Sequence, residues 1–389
     1  EVTRTGYDFE GWYLTEEGPV GGKKYASDVF DGEENVVLYA YYVPKKHTVR
    51  LEVGEYGTLA EGEETVELAY GESFTLPVPT ANNASQMAFI GWYKGRQGRD
   101  TRYTDQFGVG KLEYDNNEGM TLYAFWASVF KYEKTVTEDG TQQTAYRVKG
   151  GDGINFVTEV TIPESVDGIP VTTIDAGAFK NCSGVQVVNF YSSMEYVEVG
   201  DDTGANSAFE GCSNLTEINV LKSETGDKNK YYSAKGVLCG YSKLSGLSEV
   251  LVVPSSVSGT LELPEGVEVI KSNSFKNKNI STIIIPSTVQ EIKESAFEDC
   301  KQLVNVIFRG SESANAKPLS IAKNAFKNCS SLQTVTFPAR LSSFNRKAFE
   351  SCTKLVSVDI SKAEGEETEY YSQDGVLISG KYGAATLEY

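Results

Sequence analysis

Residues 325–338, from Ala325 to Pro338, read AFKNCSSLQTVTFP, and this stretch decides the architecture. Its opening phrase returns as AFKNC at Ala178–Cys182, AFEGC at Ala208–Cys212, SFKNK at Ser274–Lys278, AFEDC at Ala296–Cys300 and AFESC at Ala348–Cys352. The phenylalanines at 179, 209, 275, 297, 326 and 349 are spaced by 30, 66, 22, 29 and 23 residues. A unit of 22–23 residues accounts for these spacings, with insertions of about seven in two units and about two degenerate coils between Phe209 and Phe275.

A short extended segment follows each phrase. In Leu332-Gln-Thr-Val335-Thr-Phe337-Pro338, alternation with period two puts Val335 and Phe337 on one face and Thr334 and Thr336 on the other. Leu303…Val306…Phe308, Ile280…Ile283…Ile285-Pro286 and Leu355…Val358…Ile360 have the same form. Proline closes a strand where no ladder N–H is needed. A second apolar pair, such as Val289…Ile292, leads back to the next phrase. Each unit is therefore expected to be strand, turn, second extended piece and one short helical turn. Alone it cannot cover its apolar face, but a stack buries a continuous column.

Two further repeats set the organisation. AFEGCSNLTEINV…KYYSAKGVL returns as AFESCTKLVSVDI…EYYSQDGVL, and the second copy stops in mid-unit at Tyr389. Near the N-terminus, FEGWY at Phe9–Tyr13 returns as FIGWY at Phe89–Tyr93, and VLYAYY at Val37–Tyr42 as TLYAFW at Thr121–Trp126. The second copy carries an arm, Thr48–Val53 and Phe74–Pro77, that the first lacks. The expected domains are an incomplete module (1–44), a complete module (45–128) and a solenoid (129–389) that opens with a cap at Phe130–Gly153 and is truncated at its C-terminal end. The chain is expected to be a fragment of a longer one.

The six AFxxC-type phrases, with Tyr146–Phe179 ahead of the array, resemble the BspA-like leucine-rich repeat over about residues 154–389. The GWY…LYAxW modules resemble the internalin-type B-repeat, or Listeria–Bacteroides repeat. Lys278 in the cysteine slot and the insertion Gly200–Asn206 depart from the first pattern. The resemblance implies a mainly β repeat protein with short helices, in which two small β-grasp-like modules, the first incomplete, precede a leucine-rich-repeat solenoid. It also implies a secreted, extracellular bacterial protein displayed on the cell surface for adhesion or recognition. It carries over no catalytic residue.

Composition narrows the functions. With 54 Asp+Glu against 36 Lys+Arg, net −18, the chain has no clustered basic face for a phosphate backbone, so nucleic acid is not an expected partner. No run approaches 18 apolar residues, and no membrane insertion is expected of this chain. Five of the six cysteines share one slot of the repeat, a place for a small buried hydrophobe; Cys239 lies outside it without an assigned role. The one histidine, His47, begins a strand pattern and reads as a surface residue, which leaves no partner for Ser-His-Asp or Cys-His catalysis. Gly18–Lys24 lacks the spacing of a phosphate loop, and Gly151–Gly153 reads as a turn. The acidic runs at Asp201-Asp202 and Glu364–Glu369 read as solvated turns, without the spacing of a calcium loop. No enzyme activity, cofactor or metal is expected.

What remains is the outward face of the strands, where residues change from coil to coil. Its candidate ligand-binding positions are Glu217, Asn219, Thr282, Ile284, Asn305, Ile307, Thr334, Thr336, Ser357 and Asp359, and Glu159, Thr161, Val187 and Asn189 extend the same face. The expected function is non-enzymatic, adhesin-like binding by a monomer. The solenoid recognises a host or bacterial surface protein, or a polysaccharide, and the B-repeats are spacers. The alternative is surface glycan capture, with Tyr191, Tyr196, Tyr231, Tyr232, Tyr370 and Tyr371 stacking on sugar rings.

Overall fold

The computed structural model describes residues 2–389 except 21, 26–34, 85, 112, 137–142, 201–205, 242–245, 310–316, 362–369, 374–375, 380–385 and 388–389. The chain divides into two compact units, Glu1–Ser128 and Val129–Tyr389.

In the first unit the two GWY copies form the same antiparallel pair. Tyr7–Tyr13 runs against Tyr39–Pro44 and Met87–Tyr93 against Met120–Ser128, with a bulge at the same place, between Phe9 and Gly11 and between Phe89 and Gly91. Gly91 has φ 153°, and a Cβ there would lie 2.3 Å from the carbonyl oxygen of Thr104, so the bulge admits only glycine. Around the second pair, Lys46–Glu52 adds in parallel to Met120–Ser128, and Thr65–Ala69 adds antiparallel to Lys46–Glu52. This four-stranded sheet buries Val49, Leu51, Trp92, Tyr114 and Leu122. The indoles are satisfied inside: Trp92 Nε1 donates to Pro77 O (2.8 Å) and Trp126 Nε1 to Val53 O (2.9 Å). In the first pair the equivalent Phe9 and Trp12 are 40% and 37% exposed, because among the described residues no counterpart of those two added strands covers them.

The second unit is a solenoid with three hydrogen-bonded columns. The front ladder is parallel and comes in three stretches. Glu159–Thr161, Val187–Tyr191 and Glu217–Leu221 form the first, Ser258–Glu262, Asn279–Ile285 and Asn305–Phe308 the second, and Thr334–Pro338 with Ser357–Ser361 the third. The back ladder opens on the antiparallel hairpin Phe130–Val136 and Gln143–Gly150, whose second strand pairs in parallel with Ile169–Ile174. It later stacks Ser248–Val252, Val269–Ile270, Glu291–Ile292, Leu319–Ile321 and Leu341–Phe344.

The phrases make the third column. Phe297 N donates to Ala325 O (2.7 Å) and Asp299 N to Lys327 O (2.9 Å), and the same two bonds join the phrases of Phe179 to Phe209, Phe275 to Phe297, and Phe326 to Phe349. The rings stack face to face, with centroids 4.8 Å apart for Phe275–Phe297 and 5.0 Å for Phe297–Phe326. Each slot cysteine that follows another phrase turns its thiol to that phrase's Phe carbonyl: Cys212 Sγ to Phe179 O (2.9 Å), Cys300 to Phe275 O (3.0 Å), Cys329 to Phe297 O (3.2 Å) and Cys352 to Phe326 O (3.0 Å). A small buried hydrophobe is thus only half of what the slot requires; its weak S–H donor is used as well.

Two expectations need correction. The phrase is not a helical turn: it is a run of four-residue turns closed by bonds from residue i+3 to residue i, and among the described residues the helical elements are the 3-10 turns Arg96–Gly98 and Ile154–Phe156. The reason is backbone handedness. Positions two before and two after the Phe are left-handed, at Gly177 and Asn181, Asn273 and Asn277, Ser295 and Asp299, and Asn324 and Asn328, which stops any right-handed helix from propagating. Nor do two degenerate coils lie between Phe209 and Phe275. One coil without a phrase (Ser258–Glu262 and Val269–Ile270) lies there, behind an inserted antiparallel hairpin, Tyr231–Ala234 with Val237–Tyr241, that turns at Lys235-Gly236. Tyr370–Gln373 and Val376–Ser379 repeat that hairpin in the same register.

Candidate recognition face

The ladders fix which outward side chains meet. Thr282 lies opposite Asn305 and Ile284 opposite Ile307; Thr334 lies opposite Ser357 and Thr336 opposite Asp359. Glu217 and Asn219 stand on the far side of the inserted hairpin, opposite Val187 and Asn189. All ten positions lie on the front ladder, but they form separate groups, because the ladder is interrupted on both sides of its middle stretch. Glu217, Asn305, Ile307, Thr334 and Thr336 are exposed, and the other five are half-buried.

Neighbouring coils bond to one another across this face. Asn305 Nδ2 donates to Thr282 Oγ1 (3.2 Å) and Asn219 Nδ2 to Asn189 Oδ1 (3.1 Å). Such cross-strand pairs contribute roughly 0.2–1 kcal/mol each. Asn189 departs from the outward expectation: it sits on the face yet is only 7% exposed, its amide spent on Glu159 Oε1 (2.7 Å) and Thr161 Oγ1 (3.2 Å). It belongs to the scaffold.

Between the middle and last stretches the face opens into a cleft of about 300 Å³, lined by Asn305, Ile307, Thr334, Thr336 and Ser361. The Arg309 guanidinium, 2.7 Å from Glu262 Oε1, flanks the same face. Glu262 and its neighbour Thr260 were not read from sequence, because Ser258–Glu262 was not recognised as a front strand; the signal was Thr260-Leu-Glu-Leu-Pro264, an alternation closed by proline.

Most of the other candidate groups are engaged in packing. Tyr231 Oη accepts from Val197 N (2.9 Å), on the short strand Tyr196–Val197 that pairs with Ile169–Ile174, and Tyr370 Oη accepts from Phe344 N (3.2 Å), so the first tyrosine of each repeated hairpin bonds to a back-ladder strand. Tyr232 shares a hydrogen with Ser248, and Tyr196 donates to Glu198 Oε2 (2.6 Å). Tyr191 is half-buried, and the side chain of Tyr371 lies outside the described residues. His47 is not a surface residue: it is half-buried, its ring 6.3 Å from that of Tyr114, and its Nε2 is shielded without a partner. All six cysteines are free, five of them buried, and Cys239, on the second strand of the inserted hairpin, packs into the core. Burial pushes the thiols of Cys182, Cys239 and Cys300 up to about 12, which keeps them protonated at neutral pH. Among the described residues no group of three or more His, Cys, Asp or Glu could hold a metal, and no helix is long and apolar enough to cross a membrane. The acidic runs at Asp201-Asp202 and Glu364–Glu369 fall outside the described residues.

Comparison with known proteins agrees with the repeats. Residues 154–235 and 313–372 match the BspA type leucine rich repeat region, in 6 copies. Residues 1–41 and 53–125 match the Listeria-Bacteroides repeat domain. No curated protein matches the chain. Similar solved structures include a leucine rich cell surface protein from Faecalibacterium prausnitzii A2-165, 16% identical over 60% of this chain and 94% of that one, with TM-score 0.28. A leucine-rich repeat protein from Bacteroides capillosus ATCC 29799 is 21% identical over 34% of this chain and 99% of that one, with TM-score 0.30. The pneumococcal vaccine antigen PcpA is 18% identical over 65% of this chain and 52% of that one, with TM-score 0.29.

Proposed function

We propose that this chain, a BspA-like leucine-rich-repeat protein carrying Listeria–Bacteroides repeats, is a non-enzymatic binding protein of adhesin type at the cell surface. Its partner is a protein on a host or bacterial surface, met by the front ladder of the solenoid, and the N-terminal modules act as spacers. One observation carries the reading. Inward front-ladder positions such as Ile283, Val306, Val335 and Val358 are held to aliphatics at 0–7% exposure, whereas the outward columns change from Thr to Asn to Ser and from Ile to Thr to Asp. Packing dictates the first set and leaves the second free, and stacked coils present such a set as one extended surface. Four of the six tyrosines of the glycan alternative, Tyr196, Tyr231, Tyr232 and Tyr370, are bonded within the scaffold, which favours the protein partner.

An array of surface proteins and polysaccharides, probed with the whole chain, identifies the partner. Thr282, Asn305, Thr334 and Thr336 changed together to Lys should then abolish binding while the melting temperature stays within a few degrees, since three of the four are exposed and the half-buried Thr282 points outward, and surface substitutions usually cost under about 0.5 kcal/mol each. Removing residues 1–128 should leave binding intact. Normal binding by the fourfold variant, or loss of binding with residues 1–128, refutes the assignment. Binding should weaken only modestly with added salt, because screening acts mainly on charge pairs.

A further inference from the structure

Among the described residues the phrase column has one gap. Phe179 stacks on Phe209 at 5.4 Å, and Phe275, Phe297, Phe326 and Phe349 stack in turn at 4.8–5.2 Å, but the coil between Phe209 and Phe275 brings no phrase. A cavity of about 590 Å³ stands in its place, with Phe209 and Gly211 on one wall and Ser274, Lys276 and Lys278 on the other. Its walls are the unfinished halves of the column's hydrogen bonds. The N–H groups of Asn181, Asn277, Asp299 and Asn328 each donate to the next phrase, whereas among the described residues that of Gly211, the same position, reaches no acceptor. Opposite it, Ser274 O and Lys276 O hold the positions at which Ala208 O and Glu210 O accept, and among the described residues nothing donates to them.

The charge on the far wall is also unmatched. Lys278 stands in the cysteine slot, whose thiols elsewhere donate to the preceding Phe carbonyl, but here that phrase is missing. Among the described residues its ammonium has no hydrogen-bond or ion-pair partner, and burial lowers its pKa. An ammonium held half out of water without an anion is costly to the fold. In a scaffold that elsewhere uses cysteine, such a cost points to a ligand. Lys271 lines the same cavity, as does Lys276, which pairs with Glu298 at 3.1 Å.

We infer that this gap is a binding site for a short acidic peptide segment, laid where the missing phrase would run. The ligand's backbone supplies the acceptor for Gly211 N and the donors for Ser274 O and Lys276 O, and its carboxylate meets Lys278. A peptide backbone carries both an acceptor for Gly211 N–H and donors for the facing Ser274 and Lys276 carbonyls, so the geometry favours a peptide over a sugar acid. The site lies on the phrase column, not on the front ladder, and does not rest on that reading.

The test is fluorescence anisotropy of the whole chain with a labelled hexapeptide rich in Asp, its Asn counterpart and a labelled oligogalacturonate. The acidic peptide should bind at least tenfold more tightly than the Asn form. Lys278→Met should weaken it at least tenfold, and Lys278→Cys, which restores the repeat, should do the same. Both variants should melt no lower than the parent, because each removes a half-buried charge that has no partner among the described residues. Equal binding of the two peptides, or unchanged binding by both variants, overturns the site. Oligogalacturonate binding that depends on Lys278 while the peptide fails overturns the ligand class. A lower melting temperature with unchanged binding would mean that Lys278 only supports the fold.

Discussion

The second residue after each core phenylalanine shows what a single position of the repeat requires. Asn181, Gly211, Asn277, Asp299, Asn328 and Ser351 all hold left-handed φ there, between 57° and 76°. That explains why asparagine recurs in Asn181-Cys-Ser and Asn328-Cys-Ser, which in sequence resemble glycosylation acceptors: asparagine tolerates the left-handed region better than most side chains. Ser351 tolerates it less well. Ser351→Gly should therefore raise stability by about 0.5–1 kcal/mol, the left-handed strain relieved less the extra chain entropy of glycine. Gly211→Ala should lower it by about 1 kcal/mol or more, since the new Cβ would also approach Asn181 Oδ1 to 2.1 Å. Denaturant midpoints of the two variants measure this, and two shifts of the same sign would contradict the assigned handedness.

At the scale of the element, the column of phrases holds neighbouring coils in register. Phe297 and Phe326 are fully buried with their rings stacked nearly parallel, whereas Lys301, just after a phrase, is exposed. Truncating either phenylalanine to Ala should cost about 3–5 kcal/mol, transfer and cavity together. Lys301→Ala should cost under about 0.5 kcal/mol. Equal losses in urea unfolding from all three would refute the register. The burial of Phe297 and Phe326 was legible in sequence, because a Phe recurring at fixed spacing from a proline-closed strand has one face to fill. The handedness of the phrase was not. AFKNC has no strong helix breaker, and only the bonds to the next coil reveal that its backbone turns both ways.

The whole chain carries a pH signature through its thiols. Burial raises Cys182, Cys239 and Cys300 to about 12 and Cys212 to about 11, against an ordinary value near 9. A proton held more tightly by the folded state stabilises it fully below the unfolded value, and that contribution is lost as pH rises from about 9 toward 12. Stability should thus be insensitive to these groups at pH 6–8 and fall above pH 9, by up to about 1.4 kcal/mol per pH unit for each thiol. Urea midpoints at pH 7, 9 and 10 check the sign, and Cys300→Ala should flatten the slope. In labelling at pH 7.5 the half-buried Cys352 should react first, and six thiols should appear after denaturation. Fewer than four would mean that disulfides form.

The sequence alone determined the repeat, the inward set of Phe, Leu, Val and Ile, the strands closed by proline, and the paired aromatics of the N-terminal modules. Those features follow from periodicity, which is local: a strand of period two or a phrase of fixed spacing states which side must be buried whatever its neighbour is. The tertiary structure decided whatever depends on the register between coils 20 to 30 residues apart. Asn189 is spent on Glu159 and Thr161, slot thiols donate to the preceding Phe carbonyl, and Phe9 and Trp12 stay exposed where Phe89 and Trp92 are covered. Lys278 read as a mere lapse from cysteine, because the phrase missing before it leaves no mark within its own repeat. Only the stacking of Phe275 on Phe297, with nothing of the kind on its other side, turns that lapse into a cavity with a charge in it.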